Sequence, residues 1–428
     1  MLQAVRLVAQ VLLGVALIEI ALGALWPLVS LQLEQQQVGT EITSIVGAAY
    51  YAGFVLGTLT CFPIIDRAKH IRAFSVFAVL AVNATLLHVV LQNPVAWAIL
   101  RAIIGYALAG VFTIVESWLN DKATMQTRGR IFALYTMIAW GVSGIGPLGL
   151  NIPDPSGTIL FCLITVFMAT AIVPISLTTV GNPDIGHRTH FGILRLYTVS
   201  PLGVLACFSS GLINTGLFVL LPIYAKRLGL DQAHISILLS VAVTGPLFIQ
   251  FPVGWLADRF GRRPLMLATT VVAIGLSAVI VNLPSPSENF YWLAGLIVLL
   301  AGMISPLYGL GVGQTSDYIS KKDFVAASAG LLFAWGIGAS IGPVVAAPAM
   351  RLFGANGLFF FVSTCHVLLG GFIAYRMLAR RALSAKQQGN FVAVPITQAT
   401  YGAPELDPRG EAEPGPVAAG RAIAAAVD

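Results

Sequence analysis

Apolar side chains run along the chain in long blocks, each ended by proline, glycine or charge. The blocks fall at about 5–33, 42–65, 72–92, 95–118, 130–151, 157–179, 198–224, 232–256, 264–283, 290–313, 324–347 and 356–378. A helix needs about 20 apolar residues to cross a hydrocarbon core about 30 Å thick, so each block predicts one membrane-spanning helix, twelve in all. The first block is too long for the apolar core of a secretory signal and lacks a small-residue cleavage site behind a short core. It is expected to remain as the first helix.

Composition supports lipid as the solvent. Hydrophobic residues make up 57% of the 428, with 43 glycines besides, and charged residues only 10%, against about 25% in a globular domain. That excludes a soluble enzyme and a disordered scaffold. The net charge of +6 is not a nucleic-acid signal, because the basic residues sit in loops between apolar blocks rather than on one solvated face. Those loops orient the chain, since basic loops stay in the cytoplasm. With the N-terminus inside, all but four of the 24 Lys and Arg residues fall on the cytoplasmic side; Lys226, Arg227 and Arg351 fall outside and Arg101 lies within a block. Both termini are expected in the cytoplasm. Cys61, Cys162, Cys207 and Cys365 each lie inside an apolar block without C-x-x-C spacing, so neither a disulfide framework nor a zinc site is expected.

The longest polar break in mid-chain follows the sixth block. It divides the sequence into residues 1–180, a cytoplasmic linker 181–197, residues 198–379 and a Pro-, Gly- and Ala-rich tail 380–428 expected to be disordered. The two halves repeat one another. "GWLADRFGRR", Gly254 to Arg263, stands between blocks 8 and 9, and "FPIIDRAKHI", Phe62 to Ile71, stands 192 residues earlier between blocks 2 and 3, aligning Asp66 and Arg67 with Asp258 and Arg259. A second pair in the same order joins "AWGVSGIGP", ending at Pro147, to "AWGIGASIGP", ending at Pro343. The expected fold is therefore an all-α integral membrane protein, twelve helices in two pseudo-symmetric six-helix bundles.

Over about residues 5–378 the chain resembles the major facilitator superfamily of secondary transporters. "GWLADRFGRR" is similar to that family's loop signature G-x-x-x-D-R-x-G-R-R, and the N-terminal copy departs from it at Phe62, Lys69, His70 and Ile71. Arg101, Gly105 and Ala109 resemble the fourth-helix motif, and "ESWLNDKATMQTRGRIFALY", Glu116 to Tyr135, resembles a bacterial branch of the family. Gly141, Gly144, Gly146, Pro147 and Gly149 partly match the glycine-rich motif associated with antiporters. The resemblance implies a transporter in the bacterial cytoplasmic membrane, with helices 1, 4, 7 and 10 around a central cavity.

Ionisable residues inside the apolar blocks are the first site candidates, since each costs about 2.5–3.5 kcal/mol at mid-span unless paired or wetted. Glu19 and Arg101 stand out. Residue counting places both about 21 Å from the cytoplasmic side, where they either meet as a permanent ion pair or face substrate, with Glu19 titrating as a proton-coupling group. Asn214 in helix 7 and Tyr308 in helix 10 join them as substrate candidates, with Tyr50, Tyr51, Gln250 and Trp335 behind. A cytoplasmic gate is expected from Asp66, Arg67, Asp258, Arg259, Arg262 and Arg263. Within it Glu116 would neutralise Arg67 or Arg72, and Asp317 would neutralise Arg259 or Arg262; the plainer alternative is solvated interfacial charge worth about 0–1 kcal/mol. His88 reads as interfacial, and His187 and His190 have no carboxylate cluster for a metal. "GLGVG", Gly309 to Gly313, follows no strand and reads as close helix packing, and the "NAT" at Asn83 lies within a helix rather than in a loop.

The function expected is secondary active transport of a small organic solute by alternating access, coupled to protons. Proton-driven efflux of toxic compounds is the alternative, and a non-transporting receptor or scaffold the alternative of another class. No enzyme chemistry, cofactor, metal or nucleic acid is expected, and the partners are the solute, protons and lipid around a monomer.

Overall fold

The structure, a computed structural model, describes residues 2–123, 127–177, 192–320, 323–379 and 388, with side chains from Val8 onward except at 128 and 129. Most of the linker, including His187, Arg188 and His190, lies outside the described residues, as do Lys321, Lys322 and the tail apart from Gln388.

Among the described residues twelve helices are long and apolar enough to cross a membrane: α1 (Val8–Gln35), α2 (Thr40–Thr60), α3 (His70–Val90), α4 (Pro94–Lys122), α5 (Arg130–Asn151), α6 (Thr158–Ser176), α7 (Pro201–Arg227), α8 (Gln232–Phe260), α9 (Arg262–Val281), α10 (Phe290–Ser316), α11 (Phe324–Phe353) and α12 (Gly357–Ala379). Among the described residues there is no strand. Two short helices, Phe62–Ala68 and Ile193–Val199, precede α3 and α7. The starts are written locally. Asn93 accepts from the Val95 and Ala96 amides ahead of Pro94, and Ser200 accepts from Gly203 N ahead of Pro201. Each combines a capping oxygen with a first-turn proline that has no N–H to waste. Several helices outrun their apolar blocks. α4 continues through Asn120 and Asp121 to Lys122, and α11 through Arg351 to Phe353, because polar residues at a membrane surface prolong the backbone ladder without entering lipid.

Packing repeats between the halves. α1 with α5, α2 with α4 and α3 with α6 correspond to α7 with α11, α8 with α10 and α9 with α12. Across the molecule α2 packs on α11, α5 on α8 and α1 on α7. Glycines on both sides of the α1–α5 contact are required there: a Cβ on Gly23 of α1 would collide with Ser143 O, and one on Gly146 of α5 with Ala24 N and Ile20 O. Backbones can approach that closely only where both helices lack side chains. There α5 changes from an α-helix ending at Ser143 to a 3-10 helix over Gly146–Asn151. "GLGVG" lies in the helical segment Pro306–Ser316 with all five residues buried. All four cysteines are free.

Twelve spans bring the start of α1 and the end of α12 to one side of the bundle, here the terminal face. The α1–α2, α3–α4, α5–α6, α7–α8, α9–α10 and α11–α12 loops form the distal face.

Candidate functional site

Between the halves lies a cavity of about 90 Å³. Its wall comes from α1, α2, α5, α7 and α8, chiefly Trp26, Tyr50, Tyr51, Trp140, Asn214 and Phe218. Trp26 stacks on Tyr51 with ring centres 5.0 Å apart and meets Tyr50 edge-on at 4.5 Å. Trp335 then packs edge-on against Tyr51 at 5.9 Å. The repeated "AWG" segments thus supply one tryptophan each to the centre, Trp140 in the wall and Trp335 against it. Asn214 is 2% exposed, and its amide has no hydrogen-bond partner among the described residues.

Arg101 and Glu19 are both buried, and the structure does not join them. The Arg101 guanidinium lies 4.1 Å from the centre of the Trp26 ring and 4.9 Å from that of Tyr50, and no carboxylate among the described residues is within ion-pair distance of it. Cation–π contacts of this kind are worth about 2 kcal/mol when desolvated. Trp26 follows Glu19 by two helical turns, so Arg101 stands nearer the distal face than Glu19 does. Counted down from the distal ends, Glu19 is about 24 Å along α1 and Arg101 about 10 Å along α4. The contact with Trp26 thus sets Arg101 above the level it was expected to share with Glu19. Neither α4 nor α10 forms the cavity wall. The rings of Trp26 and Tyr50 stand between Arg101 and the space, and Tyr308 is buried away from it, its carbonyl 3.8 Å from the Cys207 thiol. Gln250 is buried with both amide atoms lacking a hydrogen-bond partner among the described residues.

The two copies of the loop signature differ in chemistry. In the second half Arg262, 1% exposed, pairs with Asp317 and donates to Gly313 O at 2.8 Å. Arg263 donates to the Tyr318 hydroxyl at 2.9 Å, while Arg259 leans over Trp255 and Phe260 and Asp258 is exposed. In the first half the position of Arg262 is taken by His70, whose Nε2 lies 3.1 Å from the Ser117 hydroxyl. A neutral hydrogen bond stands where the other half has an ion pair. Asp66, Arg67 and Arg72 are exposed, and neither arginine has a polar partner among the described residues. Glu116 is instead buried, accepting from the Tyr135 hydroxyl at 3.4 Å, so the expected neutralisation of Arg67 or Arg72 by Glu116 is not formed.

The distal face carries a set of cross-half contacts that sequence reasoning missed. Arg227 on α7 grips Glu34 on α1 through Nε at 2.8 Å and Nη2 at 3.3 Å, and donates to the Thr40 hydroxyl on α2 at 2.7 Å. The Ser30 hydroxyl donates to Val219 O at 3.0 Å, and Arg351 on α11 meets Glu41 on α2 at 3.2 Å. Only the isolation of Arg227 and Arg351 on the charge-poor side marked them in the sequence. Beside this clasp a groove of about 700 Å³ opens between α1, the α5–α6 loop and the α7–α8 loop.

Two six-helix halves around a central cavity, closed at one rim by side-chain contacts, make the architecture of a membrane carrier. The family model of the Major Facilitator Superfamily matches residues 11–231 and 203–404, and the chain belongs to that superfamily. It is a transporter and not an enzyme. It is 27% identical over 361 residues to the uncharacterized MFS-type transporter YE1530 of Yersinia enterocolitica, covering 84% of this chain and 92% of that one. The MFS-type transporter YcaD of Salmonella typhimurium is 28% identical over 382 residues, covering 88% and 96%. Among solved structures, a mutant of the nucleoside transporter NupG superposes with a TM-score of 0.72 at 11% identity, covering 86% of this chain and 99% of that one. A bacterial homologue of the human lysosomal transporter Spinster, inward-facing and occupied, gives 0.68 at 16% identity, covering 90% and 98%. At these identities the likeness speaks for the fold.

Proposed function

We propose that the protein moves a small organic solute across the bacterial cytoplasmic membrane by alternating access, driven by protons. The observation that carries this reading is the cavity between the halves, closed distally by the partly exposed Glu34–Arg227 contact. An ion pair of that kind costs only about 0–1 kcal/mol to break, so the halves can part there without unfolding. In this reading residues 1–180 and 198–379 rock as two bodies about the linker, the terminal face is cytoplasmic, and the monomer is the working unit. Glu19 is the group that takes up and releases the proton. Arg101 holds the aromatic wall and responds to its movement, Asn214 binds the solute, and Tyr308 backs the wall from α10. Asp66, Arg67, Glu116, Asp258, Arg259, Arg262, Arg263 and Asp317 form the cytoplasmic gate, with the second copy of the signature as its stronger half.

The test is uptake into proteoliposomes from a broad compound panel under imposed pH gradients. Uptake of one solute class accelerated by an acidic exterior supports symport. Acceleration by an acidic lumen supports the second reading, export in exchange for protons, which the aromatic cavity wall favours. Gradient-independent flux of every compound removes proton coupling. Labelling of single cysteines at Gln36 and Glu288 from outside, and at Asp184 and Gln388 only from inside, tests the orientation.

A further inference from the structure

We infer that the central cavity selects a neutral, planar heteroaromatic ring bearing a hydrogen-bond donor beside an acceptor, a class to which nucleobases belong; the inference rests on the cavity being the transport site proposed above. Its wall is rich in aromatic side chains, Trp26, Tyr50, Tyr51, Trp140 and Phe218. Stacking of a ring on such side chains is worth about 1–3 kcal/mol per ring and tolerates many ring types. Selectivity must therefore come from the polar atoms. Asn214, Tyr50 and Tyr51 line the space, and their side chains make no hydrogen bond with the described residues. A side-chain amide presents a donor and an acceptor side by side, the pattern that pairs with the matching edge of a heteroaromatic base. A guest without that edge would leave the amide desolvated and unsatisfied, which costs about tenfold or more in affinity.

Charge narrows the class further. Aromatic boxes commonly hold cations through the negative faces of their rings, but here Arg101 already sits over Trp26 and Tyr50, so an incoming cation would find those rings engaged and a fixed positive charge behind them. An anion gains no direct contact, because the guanidinium lies behind the wall rather than in it. A neutral guest is what remains.

Equilibrium binding to the full-length protein in nanodiscs decides the matter, using adenine, hypoxanthine and uracil against tetraphenylphosphonium and glucose. At least one base is expected to bind ten times more tightly than both competitors. Asn214→Ala is expected to weaken that base about tenfold or more, with Asn214→Gln recovering part of the loss. Tighter binding of tetraphenylphosphonium or glucose, or binding of none of the bases by the wild-type protein, overturns the inference whether or not the variants fold. Base binding without any gradient-driven flux would uphold the inference and remove the transport reading. Gradient-driven flux of an organic cation or a sugar would do the reverse.

Discussion

Lys69 adopts a backbone conformation that belongs to glycine. Its φ of 66° and ψ of 162° nearly reproduce the 87° and 156° of Gly261, the residue at the matching place in the other half. A side chain there costs about 1–3 kcal/mol. Lys69→Gly is therefore expected to stabilise the protein by about 1 kcal/mol, read as a higher Tm in detergent; a lowered Tm would mean that the lysine side chain offsets the strain. The departure from the signature was plain in the sequence, but its consequence was not, because a lost glycine says nothing about whether the turn itself changes. Glu19 and Arg101 show the same limit. Their burial could be read from the apolar residues around them, whereas the seat of Arg101 on Trp26 and Tyr50 could not, since a cation over a ring leaves no spacing signature. Glu19→Gln tests the coupling role by fixing the side chain neutral at similar size. Gradient-driven uptake is expected to collapse while solute binding stays within a few-fold, and full gradient-driven uptake in the folded variant would rule Glu19 out as the proton carrier.

Between elements, the junctions of α9 with α10 and of α3 with α4 are pseudo-equivalent places that have diverged. Arg262 and Asp317 tie the start of α9 to the end of α10 in a buried ion pair, while His70 and Ser117 make the matching tie without charge. Removing one member of a buried pair leaves the other uncompensated, at about 3–5 kcal/mol. Asp317→Asn is thus expected to lower stability by about that amount, whereas Ser117→Ala at the other junction costs about 1 kcal/mol. Comparable losses in thermal unfolding would show that the two junctions bear equal load. The asymmetry was half legible: the intact motif announced the arginines, and Asp317 was a named partner for Arg262. The Glu116 pairing failed because Glu116 faces α5 and Tyr135, and helix facing at a polar end cannot be read where apolar residues surround the helix on all sides. The 3-10 ending of α5 was likewise hidden; its glycines partly matched a family motif without saying that the helix would tighten there.

At the scale of the molecule, twelve spans and their pairing into halves were legible because lipid leaves the backbone only one way to satisfy itself within each apolar block. What the blocks do not encode is which rim is shut. That depends on a few side chains from distant positions, Glu34, Thr40 and Arg227 above all, whose partners are 193 and 187 residues apart. The contacts are individually weak, so their loss should hardly unfold the protein, yet they bridge the two bodies whose separation the proposed cycle requires. This gives the distal clasp a test that stability alone would not supply. Glu34→Cys combined with Arg227→Cys, bridged by a short bifunctional thiol reagent, is expected to stop turnover, and cleavage of the bridge to restore it. Each single variant treated in the same way should keep transporting. Because the native Cys61, Cys162, Cys207 and Cys365 also carry thiols, the pair is introduced with these replaced by serine. Undiminished flux with the bridge shown to be complete would mean that the distal rim never opens, and alternating access between these two halves would have to be abandoned.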